Sequence, residues 1–177
     1  MNAASRPLLI ALALAAAGCG PAESPPDLAI RISPQCTTCD DFVRCRSEPA
    51  LGAGAAAEAI VVYHLTPRSA GAQIATIIDY ATQLFRRKTS DERPLIVYRE
   101  RRTPAGLRER DVVTDERATL DLVAYRLEVP GAWIDQRTGE WHGAGGEPLG
   151  RCESLSRADG MAFRDGFAAS LPGGGAL

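Results

Sequence analysis

The chain has 177 residues, with 20 basic and 22 acidic side chains and a formal net charge of −2. So balanced a total implies neither nucleic acid nor an anionic surface as the partner of the chain as a whole. The length suits one domain and is enough to bury a real core. Lys88 is the only lysine among the basic residues. That bias reads as a GC-rich genome, not as a phosphate-binding design.

The first six residues carry Arg6 and the terminal amine, and residues 8–17 (LLIALALAAA) form an uninterrupted apolar run. A spanning helix needs about 20 apolar residues, so this run is too short to cross a bilayer. A positive start, a short apolar stretch and small residues after it mark a secretory signal peptide. Here Ala15, Ala16, Ala17 and Gly18 lead straight into Cys19. That order resembles the lipobox of bacterial lipoproteins, with Ala16 where the family usually has Leu and Leu14 two places earlier. The resemblance is confined to residues 1–20 and implies nothing about the fold behind them.

What it implies is an address. Residues 1–18 would be removed as signal peptide, and Cys19 would carry the lipid that tethers the chain to a membrane. Several acyl chains make a stable anchor, because each buried CH₂ adds ~0.8 kcal/mol. In this family an Asp after the cysteine often signals retention at the inner membrane. Gly20 therefore favours the outer membrane, with the domain facing the periplasm or the cell exterior. Residues 20–27 (GPAESPPD) hold three prolines and no large apolar side chain, so residues 19–27 are expected to be an extended, lipidated tether.

Residues 28–171 are expected to form a single globular domain. Residues 28–32 alternate Leu28, Ile30 and Ile32 with Ala29 and Arg31, which is a strand pattern. Residues 36–46 suit a short helix or a cysteine-stapled loop, and residues 49–57 a flexible loop. Residues 60–65 (IVVYHL) are rich in β-branched side chains and predict a buried strand. Thr66-Pro67 then opens a helix, with a Thr cap and a proline whose missing N–H would lack a partner there anyway. Ile74, Ile77, Ile78, Ala81 and Phe85 give this helix one apolar face. Arg86, Arg87 and Lys88 suit its C-terminal dipole, and residues 90–94 break it.

Residues 95–101 predict a further strand, residues 103–106 a turn, and residues 110–114 a short strand. Residues 120–129 are the longest strand candidate, with Val123, Tyr125, Leu127 and Val129 on one face. Trp133 and Trp141 flank a hairpin turn at residues 135–140, where Gly139 supplies a positive φ. Residues 172–177 (PGGGAL) are expected to be a disordered tail. This order predicts an α+β fold: a mostly antiparallel sheet, stapled by disulfides, with one long amphipathic helix packed on it.

Four cysteines besides Cys19 remain: Cys36, Cys39, Cys45 and Cys152. An even number in an exported chain points to disulfides, and four cysteines allow three pairings. One local and one long-range bridge are expected. A strand followed by Cys36-Thr37-Thr38-Cys39 and a possible helix also resembles a thioredoxin-like redox motif. There Cys36 and Cys39 would be the catalytic pair, activated by the helix dipole. Departures from that pattern are the missing aromatic before Cys36, the carboxylates of Asp40 and Asp41 beside it, and the lack of a supported partner proline among Pro94, Pro104 and Pro130. A zinc site of Cys36, Cys39, Cys45 and Cys152 lacks the second closely spaced pair of a strong motif. No metal or other cofactor is expected.

His64 ends an apolar strand and reads as structural. His142 follows Trp141 beside a glycine-rich stretch and offers a site at a loop mouth. Arg99, Arg101 and Arg102, with Arg108 and Arg110, surround a turn and could meet a carboxylated glycan or an acidic protein. Trp133 and Trp141 could stack on a sugar, although cross-strand packing is the commoner role. Neither a nucleophile elbow nor a zinc-protease helix motif occurs. The expectation is a non-catalytic envelope lipoprotein that binds a protein or glycan partner through Arg99, Arg101, Arg102, Trp133, Trp141 and His142. The alternative is an envelope thiol–disulfide oxidoreductase.

Overall fold

The computed structural model describes residues 27–33, 38–47, 58–68, 89–102 and 108–171. Cys19, the leader, most of the tether, Cys36, the residue 49–57 loop, the helix expected after Thr66-Pro67, the turn at 103–106 and the tail lie outside the described residues.

Eight strands account for most of what is described: β1 (Asp41–Ser47), β2 (Ala59–Leu65), β3 (Ser90–Arg102), β4 (Arg108–Asp121), β5 (Arg126–Val129), β6 (Ala132–Asp135), β7 (Glu140–Gly143) and β8 (Pro148–Leu155). Each is antiparallel to the next, and β1 also pairs with β8, so the sheet closes into a barrel. This corrects the expected α+β arrangement, a mostly antiparallel sheet with one long amphipathic helix packed on it: the sheet is antiparallel but closed. The described helix is short and C-terminal, α1 (Arg157–Ala169).

Strand alternation builds the barrel, since successive side chains point to opposite faces. Val43, Tyr63, Leu65, Leu95, Val97, Leu120, Leu127, Ile134 and Trp141 fill the interior. On the outside, Phe42, Val62 and Tyr98 form a second apolar patch, which α1 covers with Phe167, Met161 and Phe163. Elsewhere the outer wall carries charge: Arg44 and Glu153 pair across β1 and β8, and Arg110 and Glu100 pair across β4 and β3. An apolar interior with charges outside reverses the polarity of a lipid-embedded barrel. No described helix is long and apolar enough to cross a membrane.

Four local readings change. Residues 28–32 bury Ile30 and Ile32 as the alternation requires, but they form no strand. They run along the lower barrel end, held largely by side chains: Ile30 N–H donates to the Gln136 carbonyl, Gln136 Nε2 donates back to Ile30, and Arg31 N–H donates to Ser154 Oγ. The stretch after Cys39 is strand β1, not a helix. Strand β3 starts at Ser90, so residues 90–94 are strand and not a breaker. Pro94 is tolerated because the β2 ladder ends at Leu65 opposite Leu95, leaving the missing N–H beyond the last rung. The long strand expected over 120–129 is cut by a turn at 122–125. There the Asp121 carboxylate accepts from the Val123 and Ala124 N–H groups, Tyr125 takes a φ of 56°, and Val123 is 62% exposed.

Two expectations carry over directly. β2 is the buried strand read from IVVYHL. β6 and β7 form the hairpin flanked by Trp133 and Trp141, with Gly139 at φ 75°.

α1 begins at Ser156, whose hydroxyl accepts from Asp159 N–H. It packs close to the barrel because Gly160 lies directly over the Phe42 ring, where a Cβ would overlap the ring carbons. Exposed glycine-to-alanine changes in helices gain about 1 kcal/mol. Gly160→Ala should instead destabilise the protein, because the clash falls on a buried ring. Urea unfolding monitored by circular dichroism checks this, and an unchanged or raised midpoint would contradict the packing.

The closing seam carries a covalent staple. Cys45 and Cys152 stand directly opposite one another in the β1–β8 register and form a disulfide, at a sequence separation of 107. A loop of that length implies about 4–5 kcal/mol of stabilisation in the chain-entropy model. Cys45→Ala with Cys152→Ala should therefore lower the unfolding free energy by several kcal/mol. The check is equilibrium denaturation of both forms.

Candidate functional site

The lower barrel end is a buried polar floor. Arg93, 2% exposed, points inward in the register of Leu95 and pairs with Asp41. Its guanidinium also donates to the carbonyls of Cys39, Leu65 and Thr66, which gathers the ends of β1 and β2. Asp91, equally buried, pairs with Arg68. Buried ion pairs hold only when their remaining polar atoms are also bonded, and losing one partner is strongly destabilising. Together with Ile30 and Ile32, these pairs shut the lower end.

His64 lies on the outer wall beside this floor, beneath α1, and is 3% exposed. Its ring stacks on Phe42 at 4.1 Å, and Nε2–H donates to Asp40 Oδ1 at 2.8 Å. Asp40 also receives Arg157 of α1 at 3.3 Å. His64 is thus part of the latch between helix and barrel, as its sequence context suggested. Burial holds its pKa below the ordinary 6.5, the charges of Arg164 and Arg93 act in the same direction, and Asp40 opposes them.

The other end of the barrel is framed by the long β3–β4 ribbon. Residues alternate along β3, so Arg99 and Arg101 share the inward register of Leu95 and Val97. Arg99 stands between Val61 and Asp111, with its guanidinium 3.5 Å from the Asp111 carboxylate and its side chain 47% exposed. Arg101 stands between Ala59 and Glu109 in the same register. Below them lie Tyr63 and Trp141, packed edge-to-face at 6.5 Å. Burial pushes the Tyr63 hydroxyl up to about 12, against the lowering influence of Trp141 and Arg99. The indole nitrogen of Trp141 is buried, and it biases that hydroxyl without making a hydrogen bond of normal geometry.

No family model, curated protein or solved structure matches the chain. The candidate residues are therefore placed by geometry alone. Arg99, Arg101 and Trp141 gather at the rim and interior, whereas Arg102, Trp133 and His142 do not join them. Arg102 faces outward and pairs with Glu58 at 3.5 Å. Trp133 and His142 are direct cross-strand partners on the outer wall, stacked at 4.0 Å, and Arg126 lies over the Trp133 ring at 4.2 Å. His142 Nδ1–H donates to the Gly146 carbonyl. Trp133 and Trp141 thus face opposite sides of the barrel wall and cannot act as one platform. Tyr63 and Asp111 were missed as rim residues, although the period-two alternation that buries Val97 also aims Arg99 inward.

The cysteines separate by the same geometry. Cys45 and Cys152 are joined to each other, so the four-thiolate zinc set cannot form. Cys39 is also disulfide-bonded. Since β1 follows it directly, no helix N-terminus is present to activate a thiolate there. Among the described residues no group of three His, Cys, Asp or Glu side chains is arranged to hold a metal ion.

The lowered pKa of His64 sets a direction for acid sensitivity. The unfolded chain takes up the proton near pH 6.5 while folded His64 still resists it. The contribution of this site is therefore fully present above pH 6.5 and is lost as the pH falls through the folded-state pKa. His64→Gln, which keeps a donor toward Asp40, should flatten the fall in unfolding free energy below pH 6.5. Denaturant titrations between about pH 7.5 and pH 5.5 (about one unit either side of the ordinary histidine value) test this, and identical pH profiles would refute it.

Proposed function

We propose that this chain is a lipid-anchored envelope protein whose barrel serves as a non-catalytic binding or assembly module. The observation that carries the reading is the disulfide joining Cys45 to Cys152 across the barrel seam, accompanied by a second disulfide at Cys39. Structural disulfides persist in oxidising compartments, which agrees with the export implied by the residues leading to Cys19. The charged outer wall suits a domain held in water beside the membrane, with the anchor supplied by acyl chains on Cys19 and not by the barrel.

The non-catalytic part of the reading rests on where the reactive groups lie. His64 is sealed beneath α1 and engaged with Asp40, and Arg93 is committed to backbone carbonyls and Asp41. The rim is accessible instead, where Arg99 and Arg101 with Asp111 and Glu109 present both signs of charge. That surface suits a charged protein or glycan partner in the envelope, at the outer membrane favoured by Gly20.

Fatty-acid labelling of the expressed protein tests the anchor. Wild type should incorporate label and fractionate with membranes, and Cys19→Ala should lose both. An unlabelled, freely released wild type would overturn the reading.

A further inference from the structure

Two turns at the lower barrel end stand beside the start of the described chain. Ala29 lies against Gly139 of the β6–β7 turn, and Ile30 N–H donates to the Gln136 carbonyl. Gln136 N–H in turn donates to the Tyr125 carbonyl of the β4–β5 turn. Eight residues separate Asp27 from Cys19, and they reach about 29 Å at most. A lipid on Cys19 therefore keeps these turns, and not the Arg99 and Arg101 rim at the opposite end, next to the membrane.

The surface of the two turns suits that place. Val123, 62% exposed, is the only exposed large hydrophobic side chain among the described residues. A lone exposed valine is ordinary, but its neighbour in the turn is not. Tyr125 holds a φ of 56°, a region that Gly or Asn enters more easily than a bulky side chain. A backbone outlier of this kind points to use of the side chain it carries. The Arg137 guanidinium of the β6–β7 turn lies over the Tyr125 ring, 4.6 Å from its centroid. The turn tips also have their backbone donors paired. The Asp121 carboxylate accepts from Val123 and Ala124, and the Asp135 carboxylate accepts from Arg137 and Thr138. Unpaired N–H groups are costly away from water, and these tips avoid that cost. Charge is balanced as well, since Arg126 stands in register between Asp121 and Asp135.

We infer that these two turns rest on the bilayer that holds the lipid anchor, with Val123 and Tyr125 in the boundary between headgroups and acyl chains. The inference rests on the lipid-anchor reading above. Tyr and Arg both join an apolar body to a polar end, which fits a layer that is dry on one side and wet on the other. One valine and one tyrosine make a weak contact. The short tether holds it at an effective concentration on the order of millimolar, so weak contact is enough. In this pose the rim faces away from the lipid, toward partners in the surrounding water.

The test uses the lipidated protein in phosphatidylcholine vesicles, with and without bromine in the acyl chains. The balanced charges call for no anionic lipid. Val123→Trp reports on the turn and Arg101→Trp on the rim, and both positions are exposed. Both variants should float with the vesicles, which reports the anchor. Bromine should quench Val123→Trp beyond the level of the two native tryptophans and leave Arg101→Trp at that level. Adding Tyr125→Asp to Val123→Trp should remove the extra quenching, which shows that the native surface and not the new indole makes the contact. A floating Val123→Trp without extra quenching, equal quenching at both positions, or quenching that survives Tyr125→Asp would overturn the contact and leave the anchor standing. Protein that fails to float would overturn the anchor and the contact together.

Discussion

The pairing of β1 with β8 is the constraint on which the other features depend. It brings Cys45 beside Cys152 at a sequence separation of 107, and so closes the ring of strands that lies between them. Closing so long a loop costs chain entropy, and the disulfide removes much of that cost by restricting the unfolded chain. Closure also removes the edge strands that an open sheet would expose. One stretch escapes it: β5 pairs only with residues 119–121 of β4, which leaves the rest of β4 without a strand on that side among the described residues. Arg108, Glu109, Arg110 and Asp111 occupy that stretch, and charges on a bare edge discourage another chain from pairing with it.

Closure fixes the sidedness of each strand. Once Val43 and Cys45 face the interior, Phe42 and Arg44 must face out, and the same alternation continues around the barrel. The outer apolar residues Phe42, Val62 and Tyr98 then need a cover, which is the role of α1. Tyr98 shows what this cover demands. Its ring packs against Phe163 and Phe167, and burial holds its hydroxyl above the ordinary tyrosine value. The helix contributes packing and, through Arg157 to Asp40, one ionic contact next to the floor.

Local elements were legible in the sequence and the global closure was not. IVVYHL is apolar along its length because β2 is buried on both faces, by the interior and by α1, and such a run reads as a strand in any fold. The β6–β7 hairpin announced itself through Gly139. The break before β5 was hidden because Val123 and Tyr125 continue the apolar alternation through a turn that Asp121 forms by accepting two backbone N–H groups. α1 was overlooked because two glycines, Gly160 and Gly166, dilute its pattern. Its Ser156-x-x-Asp159 cap was nevertheless present as a signal. No local pattern states that β1 will meet β8. The even cysteine count predicted a long-range bridge without naming its partners, and only the register identifies Cys45 with Cys152. The rim residues were half legible: Arg99 and Arg101 stood out by charge, but their inward register depends on Val97 being buried.

The two barrel ends differ in what they can do. At the lower end, charged groups such as Arg93, Asp41 and Asp91 are consumed in holding strand ends together, so a ligand there would have to dismantle the fold. At the rim, Arg99 and Asp111 are held apart at 3.5 Å and remain accessible. Exposed pairs of this kind contribute about 0–1 kcal/mol to stability, so exchanging one for contacts with a partner costs the fold little. Such a pair can be given up without loosening the frame, which the Cys45–Cys152 disulfide closes along the β1–β8 seam. That distribution, a committed floor at one end and an accessible charged rim at the other, is the physical basis of the proposed binding role.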